Sequence, residues 1–328
     1  MRHDRLSPLT LLAALTLPLL AGAGAVLEPL PSSNDNYGES FSFMVDLEDG
    51  SFVSTQFSVT NLGPGSRNGV CRATVLRPGR KPWTPQVKVD SDEWGYDAAT
   101  TTLRMGPCTL HAGSGTYISV PLDNGLLTIS FSDPPSPTAP SGSEIIVGNS
   151  RYRHEVLLPF TKAKVSLRLP GSDALLELTG GGYGDHSHST VAPAKLARSW
   201  VRFRAVRGDT NVLLLAREGF DGSFGPAYLW SSGSEPQVLQ RFDLRRLDDG
   251  RSKKIASWEA ELSGPDGPLT VRSTSLMLRS APVQDLGVLG SLVKPVVGSP
   301  VTYLMRAVLV RPGQPDVPGV MEVTQDEG

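Results

Sequence analysis

The sequence predicts an all-β protein with little helix, and three observations carry that prediction. The 328 residues include 34 glycines and 27 prolines, spread throughout as punctuation between short runs. Within those runs apolar residues recur with period two, as on a half-buried strand. Long helical periodicity is nearly absent: Leu286, Leu289 and Val293 suggest one short helix over 283–293.

The chain opens with Arg2 and Arg5, an apolar run over 6–20 and the small-residue stretch Leu20-Ala21-Gly22-Ala23-Gly24-Ala25. This is the layout of a secretory signal peptide over residues 1–25, followed by an exported mature protein, periplasmic or secreted. Pro8 and Pro18 interrupt the run, which is short for a membrane span, so no integral span is expected after cleavage. Phe41, Phe43, Val45 and Leu47 then alternate with Ser42, Met44 and Asp46. Asp49-Gly50 marks a hairpin turn, and Val53, Thr55, Phe57 and Val59 resume the alternation. Further strands are expected over 70–76, 116–120, 126–132, 163–169, 200–206, 211–217, 237–244, 257–262, 269–278 and 301–310. The proline-rich segment over 133–143 cannot build a sheet ladder and reads as a linker or the tip of a long hairpin. It divides the chain into β-units over 26–160 and 161–328. Cys71 and Cys108, the two cysteines, are free to pair in an oxidising compartment or to remain thiols.

Several function classes are excluded. A formal net charge of −2 gives no electrostatic reason to expect nucleic acid or an anionic membrane as partner. No Gly-x-Ser-x-Gly, His-Glu-x-x-His or Gly-x-x-x-x-Gly-Lys occurs, and no cofactor is expected. Arg241, Arg245, Arg246, Arg251, Lys253 and Lys254 alternate with acids, as on a solvated strand face and hairpin.

The densest chemistry lies in Gly180-Gly181-Gly182-Tyr183-Gly184-Asp185-His186-Ser187-His188-Ser189. Glycines permit positive φ or close approach of another chain segment. Asp185 and His186 could move a proton at a pocket, or fix a turn by hydrogen bonds to the backbone. His186 and His188, two apart on a strand, share a face, which allows a metal site completed by His111, His154 or a distant acid; no metal is expected, because nothing in the spacing supplies those ligands. Gly219-Phe220-Asp221-Gly222-Ser223-Phe224-Gly225-Pro226 reads as a tight turn capping a barrel end, or as a loop whose Phe220 and Phe224 touch a ligand. Tyr183, His188, Trp200, Tyr228 and Trp230 are the other candidate ligand contacts.

The glycine run, the strand Lys162-Ala163-Lys164-Val165-Ser166-Leu167 before it, Trp200 after it and the C-terminal Gly319-Val320-Met321-Glu322-Val323-Thr324 resemble a lipocalin-like family. That family includes hydroxyneurosporene synthase (carotenoid 1,2-hydratase), fungal survival factors and fungal Diels–Alderase-type cyclases. Its Gly-x-Gly-Tyr-x-Asp-His-Asn-Trp-Gly hallmark departs here at Ser187-His188. The resemblance implies two consecutive calycin-like antiparallel β-barrels around an apolar pocket. A barrel of about eight strands holds one small ligand, although a β-sandwich would show the same alternation. The expected partner is a hydrophobic small molecule, lipid or isoprenoid. The alternative is a hydratase, isomerase or pericyclic cyclase acting on such a molecule or on a polyketide-type substrate, with Asp185 as proton donor. The sequence leaves the oligomeric state open.

Overall fold

A computed structural model describes residues 26–63, 65–140, 142–247, 257–281 and 298–327. The expected signal peptide and the expected helix over 283–293 lie outside them. In chain order the first sheet comprises β1 (Gly38–Leu47), β2 (Phe52–Thr60), β3 (Asn68–Leu76), β4 (Gln86–Val89), β5 (Trp94–Asp97), β6 (Thr102–Met105), β7 (Cys108–Ala112), β8 (Thr116–Val120), β9 (Leu126–Phe131), β10 (Glu144–Val147), β11 (Ser150–Arg168) and β12 (Leu176–Ser189). A single helical turn, α1 (Pro193–Leu196), leads to the second sheet. That sheet comprises β13 (Ser199–Ala205), β14 (Val212–Glu218), β15 (Phe224–Ser231), β16 (Gln237–Val238), β17 (Arg241–Leu247), β18 (Ser257–Gly264), β19 (Gly267–Ser280), β20 (Pro300–Val310) and β21 (Val317–Asp326). All described pairings within the two sheets are antiparallel.

Both sheets curl into barrel-like units, which protects their edges. In the first, with order β4-β3-β2-β1-β12-β11-β9-β8-β7-β6-β5, strands far apart in the order meet across the interior. Cys71 of β3 is disulfide-bonded to Cys108 of β7, and Trp94 and Met105 lie beside Gly69 of β3. In the second, with order β16-β15-β14-β13-β21-β20-β19-β18-β17, the two end strands follow each other in the chain. Leu239 N–H donates to the Ala227 carbonyl and Gln240 N–H to that of Ser263, so the chain passes within two residues from pairing with β15 to pairing with β18.

The expected alternation is present, and it fills the interiors. Phe41, Phe43, Phe57 and Phe131 are fully buried in the core of the first barrel, and Phe203, Trp258 and Tyr303 in that of the second. A third buried cluster, including Met44, Tyr152, Val156, Tyr183, Trp200, Leu213, Leu215, Tyr228 and Val320, joins the outer faces of the two sheets. Asp46 and Arg306 pin this seam at one end, with Arg306 Nη1 2.6 Å from Asp46 Oδ1 and Nη2 donating to the Gly50 carbonyl at 2.6 Å.

Residue 160, where the sequence reading divided the chain, falls inside β11, and the change of sheet comes between Ser189 and Ser199. The proline-rich segment stays within the first unit and lies along β11, with Ser136 N–H and Thr138 N–H donating to the Leu157 and Val156 carbonyls. The glycine run is no turn. It is the last ten residues of β12, paired with β1 on one side and β11 on the other.

Candidate functional site

Period-two geometry sorts the glycine run into two faces. Even positions of β12 face the interior of the first barrel. A Cβ on Gly182 would stand 2.4 Å from the Phe131 ring, and one on Gly184 2.6 Å from that of Phe43. None of Gly180–Gly184 has positive φ; the glycines are there for room. Odd positions face the second sheet. A Cβ on Gly181 would fall 1.6 Å from the Val206 carbonyl oxygen, so at this point the second unit lies directly on the strand.

The same rule separates the two residues expected to act together. His186 points inward, stacked on Phe41 with ring centroids 4.4 Å apart. Its Nε2 is 2.8 Å from Glu39 Oε1 and its Nδ1 3.4 Å from Glu155 Oε2. Burial lowers the His186 pKa, but the two carboxylates more than offset this and leave it raised. Asp185 points outward into the seam, with Oδ2 4.0 Å from Arg204 Nη2. Their backbones adjoin, yet their side chains belong to different environments.

The outer face of the first barrel carries Tyr152, His154 and Val156 of β11, Tyr183, Asp185 and Ser187 of β12, and Ser40, Ser42 and Met44 of β1, as the register requires. Opposite them stand Trp200, Arg202 and Arg204 of β13, Tyr228 of β15 and Glu322 of β21. Arg202 Nη1 donates to Glu322 Oε1 at 2.8 Å, and Arg204 Nη1 to Oε2 at 3.3 Å. The Arg204 guanidinium lies 4.9 Å over the Tyr183 ring, and that of Arg202 5.1 Å over Trp200. His154 Nε2 is 3.4 Å from the Tyr228 hydroxyl, and the Nδ1 of the same ring is buried with no hydrogen-bond partner among the described residues.

Burial sets the protonation of this cluster. It pushes the Tyr152 phenol up to about 12 and the Tyr183 and Tyr228 phenols well up, the Asp185 charge adding to each shift. It drives His154 down to about 4, so the imidazole is neutral at pH 7. Burial would raise Glu322, but Arg202 and Arg204 overcome it and hold the group below the usual carboxylate range. The seam therefore presents hydrogen-donating phenols, a neutral imidazole, two guanidiniums and two acids in an apolar surround. Such a setting can orient a polar group of a substrate and exchange a proton with it.

Of the predicted residues, Tyr183, Asp185, Trp200 and Tyr228 meet in the seam. His188 lies on the other face of β12, its ring 5.5 Å from that of Tyr37. Trp230 packs against the edge of the seam cluster, where it meets Phe160 edge-on at 6.0 Å. Phe220 and Phe224 line a separate surface groove of about 650 Å³ with Ile146, Val147 and Val238. The described residues hold no cluster of His, Cys, Asp and Glu fit for a metal ion, and none of their helices is long and apolar enough to cross a membrane. Tyr152, His154, Arg202, Arg204 and Glu322 were not among the predicted site residues. The signal for Arg202 and Arg204 is Trp200-Val201-Arg202-Phe203-Arg204, whose even positions hold an aromatic and two arginines on a single face, and Glu322 lies in the C-terminal strand of the family resemblance.

No protein-family model matches the chain, and no curated protein matches it in sequence. Solved structures do. A candidate AttH protein from Nitrosomonas europaea aligns with a TM-score of 0.61 at 16% identity, over 98% of this chain and 100% of that one. CghA with Sch210972 aligns with a TM-score of 0.59 at 14% identity, over 92% and 94%. Kievitone hydratase from Nectria haematococca aligns with a TM-score of 0.56 at 13% identity, over 93% and 95%. This chain has their fold. The two-barrel architecture implied by the glycine run is the one these proteins share, and they include a hydratase.

Proposed function

We propose that this protein is an enzyme of the hydratase, isomerase or cyclase type, acting on a hydrophobic isoprenoid or polyketide-type substrate in the seam between its barrels. The observation that carries this reading is the burial of Asp185 and Arg204, with Arg202 and Glu322, against three tyrosines where two sheets meet. An interface needed only for stability is served as well by apolar packing, because removing charges from water costs several kcal/mol per ion before pairing offsets it. The fold neighbours support the same reading, since one of them is a hydratase. In a hydration, the neutral form of Asp185, reached once a substrate takes the place of its contact with Arg204, gives its proton to an alkene carbon, whose π electrons form the new C–H bond. Water then bonds to the resulting cation, and its surplus proton returns to the Asp185 carboxylate, which Arg204 balances meanwhile. Tyr183 and Tyr228, kept as phenols by burial, donate to a substrate oxygen.

The Cys71–Cys108 disulfide supports an exported protein, since such bonds persist outside the reducing cytosol. The test begins with solvent extraction of the purified protein and identification of any bound compound by mass spectrometry. That compound is then incubated with wild type and Asp185→Asn in D2O. Deuterium entering a carbon position with wild type and not with the variant supports the assignment. Equal labelling removes Asp185 as the acid. A compound bound and returned unlabelled by both favours a carrier, the reading supported by the apolar groove around Phe220 and Phe224.

A further inference from the structure

That groove carries an inference of its own. Its walls come from both units: Ile146 and Val147 of β10, and Phe220, Phe224 and Val238 of the second barrel. All five are large apolar side chains between 36% and 65% exposed. Gathered around one concavity of about 650 Å³, they form a patch of the kind that marks a binding surface.

Arg217, which also lines the groove, is 3% exposed. Its Nε donates to the Leu196 carbonyl at 2.6 Å, and its Nη1 to the Gly225 carbonyl at 2.9 Å and Ser223 Oγ at 3.3 Å. Among the described residues Nη2 has no hydrogen-bond partner and no carboxylate lies within ion-pair distance. Arg204, likewise buried, has two carboxylates. Burial pulls the Arg217 pKa down, opposed by the charge of Asp221. Neither rim acid reaches ion-pair distance of it: Glu144 pairs with Arg151 at 3.0 Å, and the exposed Asp221, whose charge acts on Arg217 from further off, accepts from Ser223 N–H at 2.9 Å. Buried charges are normally paired, and a guanidinium presents its donors to a planar carboxylate.

We propose that this groove binds an amphipathic carboxylate, its hydrocarbon chain against Phe220, Phe224, Ile146, Val147 and Val238 and its carboxylate on Arg217. The assignment does not rest on Asp185 or on turnover in the seam. Its probe is 11-(dansylamino)undecanoic acid, titrated by fluorescence in parallel with its methyl ester, which keeps the chain and removes the charge. The acid is expected to bind the wild-type protein at least about tenfold tighter than the ester, as a charged hydrogen bond implies. Arg217→Gln should erase that preference and leave ester binding in place. Because Arg217 also holds the turn at Ser223 and Gly225, Val238→Asp serves as a second variant. It places a negative charge at an exposed groove position and should weaken the acid more than the ester. Equal binding of acid and ester to wild type, binding of neither, or a preference that survives both substitutions overturns the proposal. The titration reads no turnover, so its failure is distinguishable from failure of the enzyme reading.

Discussion

Gly181→Ala should separate the two barrels at the point where they touch most closely. The added methyl would stand 1.6 Å from the Val206 carbonyl oxygen, 2.3 Å from its carbon and 3.0 Å from the Arg207 nitrogen. Ordinary carbon contacts lie at about 3.5–4.0 Å, so one backbone must withdraw by roughly 2 Å. Neither side yields easily. Gly181 sits in a strand hydrogen-bonded on both edges, and Val206 directly follows β13. Withdrawal would stretch the hydrogen bonds from Arg207 Nη1 to the Leu47 carbonyl (2.7 Å) and from Arg306 to Asp46 (2.6 Å). Overpacking alone costs about 1–3 kcal/mol, and each charge-assisted bond lost adds about 1.5 kcal/mol or more. A total loss of at least about 3 kcal/mol is expected from denaturant unfolding. Hydrogen exchange should show faster opening at Leu47 and Arg207. Gly182→Ala is the control: it collides with Phe131 inside the barrel and should destabilise without loosening those seam amides. Gly181→Ala within about 0.5 kcal/mol of wild type, or the same exchange pattern for both variants, would refute the reasoning.

Three further outcomes follow from the buried groups. The raised His186 pKa contributes stability that is full below its unfolded value near 6.5 and lost as pH rises through the folded value. The lowered pKa values of Glu39 and Glu155 contribute above about 4.5 and are lost in acid. His186→Gln should therefore lower Tm more near pH 6 than near pH 9, and a pH-independent difference between the Tm profiles would contradict the ion cluster. His154, held down to about 4 by burial, acts in the opposite sense, since the unfolded chain takes up its proton first as pH falls below about 6.5. His154→Gln should remove up to about 3 kcal/mol of acid destabilisation between pH 6.5 and 4, read from urea midpoints. Reducing the Cys71–Cys108 bond, which spans 37 residues, should cost about 3–4 kcal/mol; an unchanged Tm in reductant would show that the first barrel does not depend on it.

The strands most visible in the sequence are those with one apolar face and one largely polar face, such as β1 and β2, where Phe41, Val53, Phe57 and Val59 are each followed by serine or threonine. Short strands such as β4 and β5 escaped notice because Gln86-Val87-Lys88-Val89 and Trp94-Gly95-Tyr96-Asp97 carry too few apolar residues to show a period. β12 was misread for a different reason. A run of glycines signals a turn by conformational preference, whereas here it supplies space for Phe131, Phe43 and the Val206 backbone, all distant in sequence. The seam was hidden by the limits of alternation itself. A polar residue opposite an apolar one on a strand looks solvated, and nothing local reveals that a second sheet covers it. Arg202 and Arg204 thus resembled an ordinary outer face, although their partner Glu322 lay in the glycine-to-glutamate strand already noted.

Covering those outer faces sets apart the two acids at the centre of the seam, Asp185 and Glu322. Glu322 accepts from Arg202 at 2.8 Å and from Arg204 at 3.3 Å, and both partners belong to its own sheet. Asp185 is the acid that the first barrel contributes to this central cluster, and among the described residues its one ion partner is Arg204 at 4.0 Å. A carboxylate held tightly by two guanidiniums is a structural counter-charge, because releasing it leaves both buried charges exposed to an apolar surround. One held loosely by a single shared guanidinium can exchange that contact for a substrate without dismantling the seam. Glu322→Gln should therefore act mainly on stability, costing about 2–4 kcal/mol in denaturant unfolding. Asp185→Asn should leave the unfolding midpoint within about 1 kcal/mol of wild type and abolish deuterium exchange into the bound compound. If instead Asp185→Asn unfolds the seam while Glu322→Gln stops exchange in a fully stable protein, the acid chemistry belongs to Glu322 and Asp185 is the counter-charge.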